Sequence, residues 1–220
     1  MLLARAHHMA TTGGGTRASS SRPLAVFLNL PYDSKFQSLF LAYIAGVTAF
    51  GLSPRATLEI PGGMRRLDRI FHIISECRYS VHDLSRVQLD RVSPTTPRFN
   101  MPFELGLAVA HERSGKEHAW FVFEQMPWRI MKSLSDLNGT DVHIHGGRID
   151  GVFRELCNAL AREERQPTVG QMWTIYREVR SAVPAILRRT GSRTLFEARP
   201  FRDLSVIASN LADRIVEQPG

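Results

Sequence analysis

The sequence predicts an α/β fold in which a doubly wound, five-stranded parallel sheet is followed by a C-terminal helical extension. Short apolar runs alternate five times with helical patterns between residues 24 and 160, as strands and helices alternate around a parallel sheet. Hydrophobic residues make up 43% of the 220 residues, which is enough to cover both faces of such a sheet. After residue 166, two helical patterns follow without an intervening strand.

The first β-α unit is predicted at the start of the apolar region. Residues 24–30 are typical of a buried parallel strand, and Asp33 or Ser34 can cap the helix that follows. The stretch from residue 36 to residue 54 carries no charge, and it is about as long as a membrane span. Its large apolar residues recur at helical spacing on one side, so we predict a buried crossover helix with a one-sided apolar stripe.

The second and third units continue the alternation. Residues 55–60 indicate a strand, and the apolar stripe at residues 67–74 indicates a helix after a Pro-Gly-Gly turn. Residues 79–84 indicate the third strand, and a longer loop leads to a helix that begins at Asn100 with Pro102 in its first turn.

The last two units are shorter. Residues 118–123 and 142–145 indicate the fourth and fifth strands, and residues 128–137 and 152–160 indicate the helices that follow them. Right-handed crossovers between five such strands favour the flavodoxin-like order 2-1-3-4-5.

Composition divides the chain into three segments. Residues 1–23 are rich in Gly, Ser and Thr and predict a disordered leader, residues 24–165 the α/β domain, and residues 166–220 the helical extension. Pro184 is a predicted kink in the first helix of the extension. The sequence leaves open whether this helical pair packs on the sheet domain or binds another subunit.

Charge and cysteine content exclude several classes of protein. The net charge of +7 lies mostly outside the main body, because residues 24–166 contain 17 basic and 16 acidic residues, so nucleic-acid binding is not expected. Cys77 and Cys157 lie in apolar segments, which disfavours a disulfide framework and indicates a reducing compartment. We expect a cytoplasmic protein because no secretory signal or membrane span is predicted.

Candidate site residues follow the first three strands. In an open parallel sheet, ligands bind at the carboxyl ends of the strands, at the switch point between the first and third strands where the order reverses. The polar, turn-forming and aromatic residues predicted to converge there are Asn29, Pro31, Tyr32, Asp33, Glu59, Gly62, Gly63, Arg66, Arg69, Asp83, Ser85, Asn100 and Glu104.

Glu104 is the strongest candidate for chemistry. It lies in or just after the first turn of the third helix, and its sequence neighbours Met101, Pro102, Phe103 and Leu105 offer no opposite charge. A carboxylate in an apolar stretch is costly unless it lies in a cleft or has a task. The alternative interpretation is a Glu that only stabilises the helix dipole.

Histidines near the strands have two interpretations each. His82, beside Asp83, is either a general base or a core histidine, and the core position is favoured. His143 and His145 alternate on a strand near Asp141, but a metal site needs ligands from further elements, so no metal is predicted.

The segment at residues 98–110 resembles the superfamily of nucleoside 2-deoxyribosyltransferases and TIR domains. Its Glu-x-Gly-x-Ala pattern consists of Glu104, Gly106 and Ala108 and opens the helix after the third strand. The likeness covers residues 24–160 in layout. In the transferases this Glu attacks the anomeric carbon of a nucleoside, and in NAD-cleaving TIR domains an equivalent Glu supports cleavage of the nicotinamide–ribose bond.

The resemblance implies an N-glycosidase or glycosyl-transferring enzyme with NAD or a related nucleotide or nucleoside as its substrate, not its cofactor. Glu104 would stabilise an oxocarbenium-like state or form a covalent ester. Asp83 would orient the ribose hydroxyls or the base, or else only cap a loop. Tyr32 would position the ring, or else wedge under the loop.

Three further residues have implied roles with structural alternatives. Asn29 would bond the sugar, or else satisfy backbone groups where its strand ends. Arg66 or Arg69 would contact phosphates, or else be surface charges of a helix. The resemblance also implies self-association and a role in bacterial defence. The competing hypothesis is a module that binds a nucleotide signal and reports occupancy to a partner through the C-terminal helices.

Overall fold

Five parallel strands form one sheet. The computed structural model describes residues 24–59, 65–87 and 96–216, and its strands are β1 (Ala25–Asn29), β2 (Ser53–Arg55), β3 (Tyr79–Asp83), β4 (Ala119–Glu124) and β5 (Val142–Ile144). The strands lie side by side in the order β2-β1-β3-β4-β5, and every neighbouring pair is parallel. The α/β class, the parallel sheet and the strand order are therefore confirmed.

Helices cover both faces of this sheet. In the described residues they are α1 (Gln37–Ala49), α2 (Arg66–Glu76), α3 (Asn100–Arg113), α4 (Arg129–Ser133), α5 (Ile149–Ala159), α6 (Val169–Thr190) and α7 (Ala198–Val216). Helices α2 and α3 pack together on one face, and α1 and α5 pack on the other. At the α1–α5 contact, a Cβ on Gly46 would lie 2.4 Å from Cδ1 of Leu156, so glycine permits the close approach.

Helix α1 is buried on every side. All residues from 39 to 49 are buried, because the sheet and α5 cover one side and α6 and α7 cover the other. The predicted one-sided stripe was therefore wrong, and the absence of charge from residue 36 to residue 54 reflects burial all round. None of the described helices combines the length and hydropathy that a membrane span requires.

The C-terminal helices pack on the sheet domain of their own chain, which decides between the two alternatives left open by the sequence. Helix α6 begins at a capping box, in which the Thr168 side chain accepts from the backbone of Gln171 and Gln171 accepts from the backbone of Thr168. It continues through Pro184 and ends at Gly191, which adopts a left-handed conformation (φ 67°).

The second strand is shorter than predicted and lies earlier in the sequence. It covers Ser53–Arg55, and Thr57–Glu59 form a 3-10 turn instead of a strand. The carboxylate of Glu59 accepts from the backbone N–H of Ala56 at 2.8 Å, and such local side-chain bonds compete with a strand ladder. The predicted fourth helix is likewise shorter, since α4 ends at Ser133.

Candidate functional site

Helix α3 begins over the carboxyl end of β1. Asn29, the last residue of β1, donates its amide N–H to the carbonyl oxygen of Met101 in the first turn of α3, at 2.9 Å. This bond places the first turn of α3 at the switch point between β1 and β3, where an open parallel sheet binds its ligands. Glu104 follows Met101 by three residues and therefore lies on the same side of the helix.

The Glu104 carboxylate is buried without a partner. The residue is 5% exposed and shares the inward face of α3 with Met101, Leu105 and Ala108. No residue in the described part of the chain gives it a hydrogen bond or an ion pair. The Glu104 oxygens are not completely closed off from solvent in the described structure. They therefore keep a narrow contact with solvent.

Burial raises the pKa of Glu104 to about 7 from its ordinary value of 4.5, because a charged carboxylate loses hydration there. The guanidinium of Arg66 opposes this shift without forming an ion pair. A carboxyl group with a pKa near neutrality can exist in either protonation state at physiological pH, which suits a residue that takes part in chemistry.

Tyr32, Thr57 and Arg66 complete what we call the switch-point cluster, together with Glu104. The Tyr32 hydroxyl lies 3.0 Å from Oγ1 of Thr57. Burial raises the pKa of Tyr32 well above its ordinary value; the charge of Glu104 adds to the shift, and the hydrogen bond from Thr57 and the charge of Arg66 oppose it. The phenol, the carboxylate and the guanidinium therefore act on one another electrostatically.

Two arginines stand at the start of α2: Arg66, which belongs to the cluster, and Arg69. Arg66 is exposed at the first helical position. Arg69, one turn later, has its Nε and Nη1 atoms enclosed, and neither atom has a hydrogen-bond partner among the described residues. An enclosed guanidinium without an acceptor is costly, so this end of α2 offers positive charge to an anion.

Asp83 lies beneath the cluster and is fully buried. Its Oδ2 atom accepts from the Tyr43 hydroxyl at 2.7 Å and lies 3.1 Å from Nε2 of His145, and its Oδ1 atom accepts from the backbone N–H of Ser85. His145 accepts the N–H of Gly147 at Nδ1, so its Nε2 carries the proton and donates. Asp83 thus joins β3 to α1 and to the segment after β5, and its contact with a sugar stays a prediction.

Two other predicted acids have partners inside the protein. Asp33 accepts from two backbone N–H groups of the 3-10 turn that precedes α1, which confirms it as the predicted cap, and it pairs with Arg86 at 3.2 Å. Glu59 pairs with Arg55 at 2.7 Å and accepts from the backbone of Ala56. The structure therefore places both carboxylates in local contacts.

The remaining predicted positions differ in exposure. Pro31 and Ser85 are buried, whereas Asn100 is exposed at the first position of α3. Gly62 and Gly63 lie outside the described residues.

His82 is a core histidine, as the sequence favoured. It is fully buried, with Nδ1 2.9 Å from the Asn29 amide nitrogen and Nε2 2.9 Å from Oγ of Ser80. Burial, with a smaller contribution from the nearby His118, lowers its pKa to about 3. His143 pairs with Glu155 at 3.1 Å, and the described ranges contain no group of three or more potential metal ligands.

The structure adds a contact that sequence reasoning missed. Phe196, in the connector between α6 and α7, packs its ring 5.9 Å from the ring of Tyr32 and 5.2 Å from that of Phe40. The C-terminal extension therefore reaches the switch-point cluster. The sequence signal for this contact was the apolar pair Leu195-Phe196 in an otherwise polar connector.

Two hollows of the described surface lie away from Glu104. One, of about 320 Å³, lies at the carboxyl ends of β4 and β5 beside Trp128, whose φ of 66° is unusual for a residue other than glycine. The other, of about 890 Å³, runs along β2 between Arg55, Arg78 and the start of α7. Neither contains a residue of the switch-point cluster.

Comparison of the chain with protein-family models, curated proteins and solved structures finds no match.

Proposed function

We propose that this protein cleaves, or transfers a group across, the N-glycosidic bond of NAD or a related nucleotide or nucleoside. The observation that carries the proposal is the Glu104 carboxylate, which is buried, has no hydrogen-bond or ion-pair partner among the described residues, and is located at the switch point of a parallel sheet. A structural glutamate would be expected to have a hydrogen-bond or ion-pair partner at this depth. A cationic sugar transition state would supply the missing opposite charge.

The proposed chemistry begins with ionised Glu104. Its carboxylate oxygen attacks C1 of the ribose, the C1–N bond breaks, and the bonding electrons leave with the base. With a pyridinium base such as nicotinamide, the leaving group departs neutral and needs no proton. Water then attacks C1 and releases the sugar and the carboxylate, with one proton passing to solvent, or a second base attacks and completes transfer.

Arg66 and Arg69 favour a substrate that carries phosphate. The enclosed, unpaired nitrogens of Arg69 and the exposed guanidinium of Arg66 lie on the helix next to the cluster. Guanidinium groups bind phosphate oxygens through paired, charge-assisted hydrogen bonds. NAD and other nucleotides are therefore favoured over nucleosides.

The proposal is tested by incubating the protein with NAD, NADP, nucleoside monophosphates and nucleosides, and by separating released bases by chromatography. We expect release of base from a phosphorylated substrate, and the addition of a second free base distinguishes transfer from hydrolysis. A complete absence of base release, also at high protein concentration where assemblies form, would rule out the enzyme.

A nucleotide-binding module is the second candidate function. It is favoured by the contact between Phe196 and Tyr32, which links the switch-point cluster directly to the connector between α6 and α7. A ligand that moved Tyr32 would alter the packing of the connector, which a partner could recognise. Thermal stabilisation by a nucleotide that is not consumed would support this function.

We expect Phe196→Ala to weaken ligand binding, because the Tyr32 ring loses one of its two aromatic neighbours. The predicted effect is a roughly tenfold increase in the Kd or KM for the nucleotide, which corresponds to about 1.4 kcal/mol. Calorimetry or initial rates measure it. Leu187→Ala, which removes a partly buried side chain from α6, controls for a general loss of stability. Equal effects of the two variants on binding would contradict a specific link.

A further inference from the structure

A continuous chain of buried polar side chains lies beneath the helix that carries Glu104. It consists of Asn29, His82, Ser80 and His118, and we call it the Asn29–His118 chain. Each of these residues is at most 6% exposed. Successive polar atoms are 2.9 Å apart, and the chain ends on the carbonyl oxygens of Met101 at one end and Cys77 at the other.

The two terminal carbonyl groups determine where the protons lie, because a carbonyl oxygen can only accept. The Asn29 amide nitrogen donates to Met101 and must also donate to Nδ1 of His82, so Nε2 of His82 carries the proton and donates to Ser80. At the other end, Nδ1 of His118 donates to Cys77, and its Nε2 accepts from the Ser80 hydroxyl. The bond from Asn29 to Nδ1 of His82 can form only when His82 is neutral, and Ser80 can donate to Nε2 of His118 only when His118 is neutral.

Neutral histidines are what this environment favours. Burial lowers the pKa of His82 to about 3 and also lowers the pKa of His118. The complete chain therefore persists at neutral pH. Its Asn29 end is attached to the backbone of the first turn of α3, on the side of the helix where Glu104 lies.

We infer that the Asn29–His118 chain is a positioning device that fixes the first turn of α3 and so keeps the Glu104 carboxylate in its buried position. Glu104 makes no hydrogen bond of its own among the described residues, so its position depends on the helix that carries it. Among the described residues, the charged and titratable groups that act on it are Arg66 from α2 and Tyr32 from the segment after β1, and neither holds it by an ion pair or hydrogen bond. The chain thereby keeps the proposed site rigid. The inference rests on the proposed function, which supplies the reason for that rigidity.

Ser80→Ala tests this inference, because Ser80 is distant from any substrate contact and its loss interrupts the chain. The measurement is a ¹³C NMR titration of the Glu104 carboxyl carbon, assigned by comparison with Glu104→Gln, in the absence of substrate. We expect a midpoint near 7 in the natural protein and a midpoint lower by about one pH unit or more in Ser80→Ala, because a loosened turn admits water. Ser80→Thr, which keeps the hydroxyl group, should restore the higher midpoint.

Thr48→Ala is the matched control. It removes another buried hydroxyl, which bonds carbonyl groups within α1, and should lower stability without moving the midpoint. If Ser80→Ala does not fold, His118→Gln at the far end of the chain is titrated in its place. A folded variant with an unchanged midpoint would overturn the inference. The midpoint could be elevated in the natural protein and lower in Ser80→Ala even though the protein releases no base from any substrate. That combination would support the positioning role of the chain and contradict only the proposed enzyme activity.

Discussion

Glu104→Gln is expected to reduce the release of base roughly a thousandfold or more, since it removes the charge that stabilises the transition state. The neutral amide has nearly the same shape, so nucleotide affinity should change by less than about threefold if uniform binding is retained. Chromatographic rates and calorimetric Kd values measure the two effects separately. In the natural protein, kcat/KM should increase as the pH rises, and the midpoint of this increase should lie near pH 7, because the ionised carboxylate is the reactive form.

The same substitution is expected to stabilise the protein at alkaline pH. Because the folded state raises the pKa of Glu104 from 4.5 to about 7, it binds the proton more tightly than the unfolded chain does. Folding is therefore favoured by this group below pH 4.5, and that contribution is lost as the pH rises through 7. The difference amounts to roughly 3 kcal/mol. Denaturant unfolding should show Glu104→Gln more stable than the natural protein at pH 8 and equally stable at pH 4.

Glu112→Gln is the control, because Glu112 is exposed on the same helix. At pH 8, where the histidines with lowered pKa values are neutral, it should leave turnover and stability unchanged. These histidines are common to the natural protein and Glu104→Gln, so they cancel in that comparison at both pH values. The charge of Glu112 raises the pKa of His118, so the control is read at pH 8 only. Full turnover by Glu104→Gln would show that the carboxylate is dispensable, and equal stability at pH 8 would show that it is not buried as described.

A fragment that ends at residue 165 is expected not to fold. Helix α1 would lose the covering of α6 and α7 and expose one side of a helix that has no charged residue. We expect aggregation, or a compact state that binds a hydrophobic dye and unfolds without a cooperative transition. Circular dichroism and thermal scans measure this outcome.

Two substitutions in α7 separate packing from chain length. Leu204 is fully buried against α1, and Leu204→Ala should cost about 2–5 kcal/mol of unfolding free energy. Val206 is 52% exposed, and Val206→Ala should cost less than about 0.5 kcal/mol. A soluble 24–165 fragment with a sharp thermal transition would contradict this prediction. It would show that the extension is a unit separate from the sheet domain.

The sequence predicted those features that depend on local periodicity. The alternation of strands and helices was sufficient for a parallel sheet, because crossovers between parallel strands have one preferred hand. The strand order was expected from the common flavodoxin-like arrangement of five such strands and not from any residue of the sequence. Glu104 was identifiable because it interrupts the apolar face formed by Met101, Leu105 and Ala108. The sequence showed that the neighbours of Glu104 in the chain offer no opposite charge. It could not show whether a distant residue pairs with it.

Features that depend on contacts between distant residues could not be predicted. Asp83 is held by Tyr43 and His145, which approach it only after the sheet and α1 have formed. The stripe in α1 indicated one buried face, because the sequence of that helix contains no information on whether α6 and α7 cover the other. The contact of Phe196 with Tyr32 depends on the same packing.

The enclosure of α1 also affects how this protein is made. The ribosome synthesises α1 well before α6 and α7, so the nascent chain carries an uncovered apolar helix until both have been made. Native packing around α1 can be completed only after α7 has left the ribosome. We therefore expect molecular chaperones that hold apolar segments to engage residues 36–54 during synthesis, and the cellular yield of the protein to depend on them.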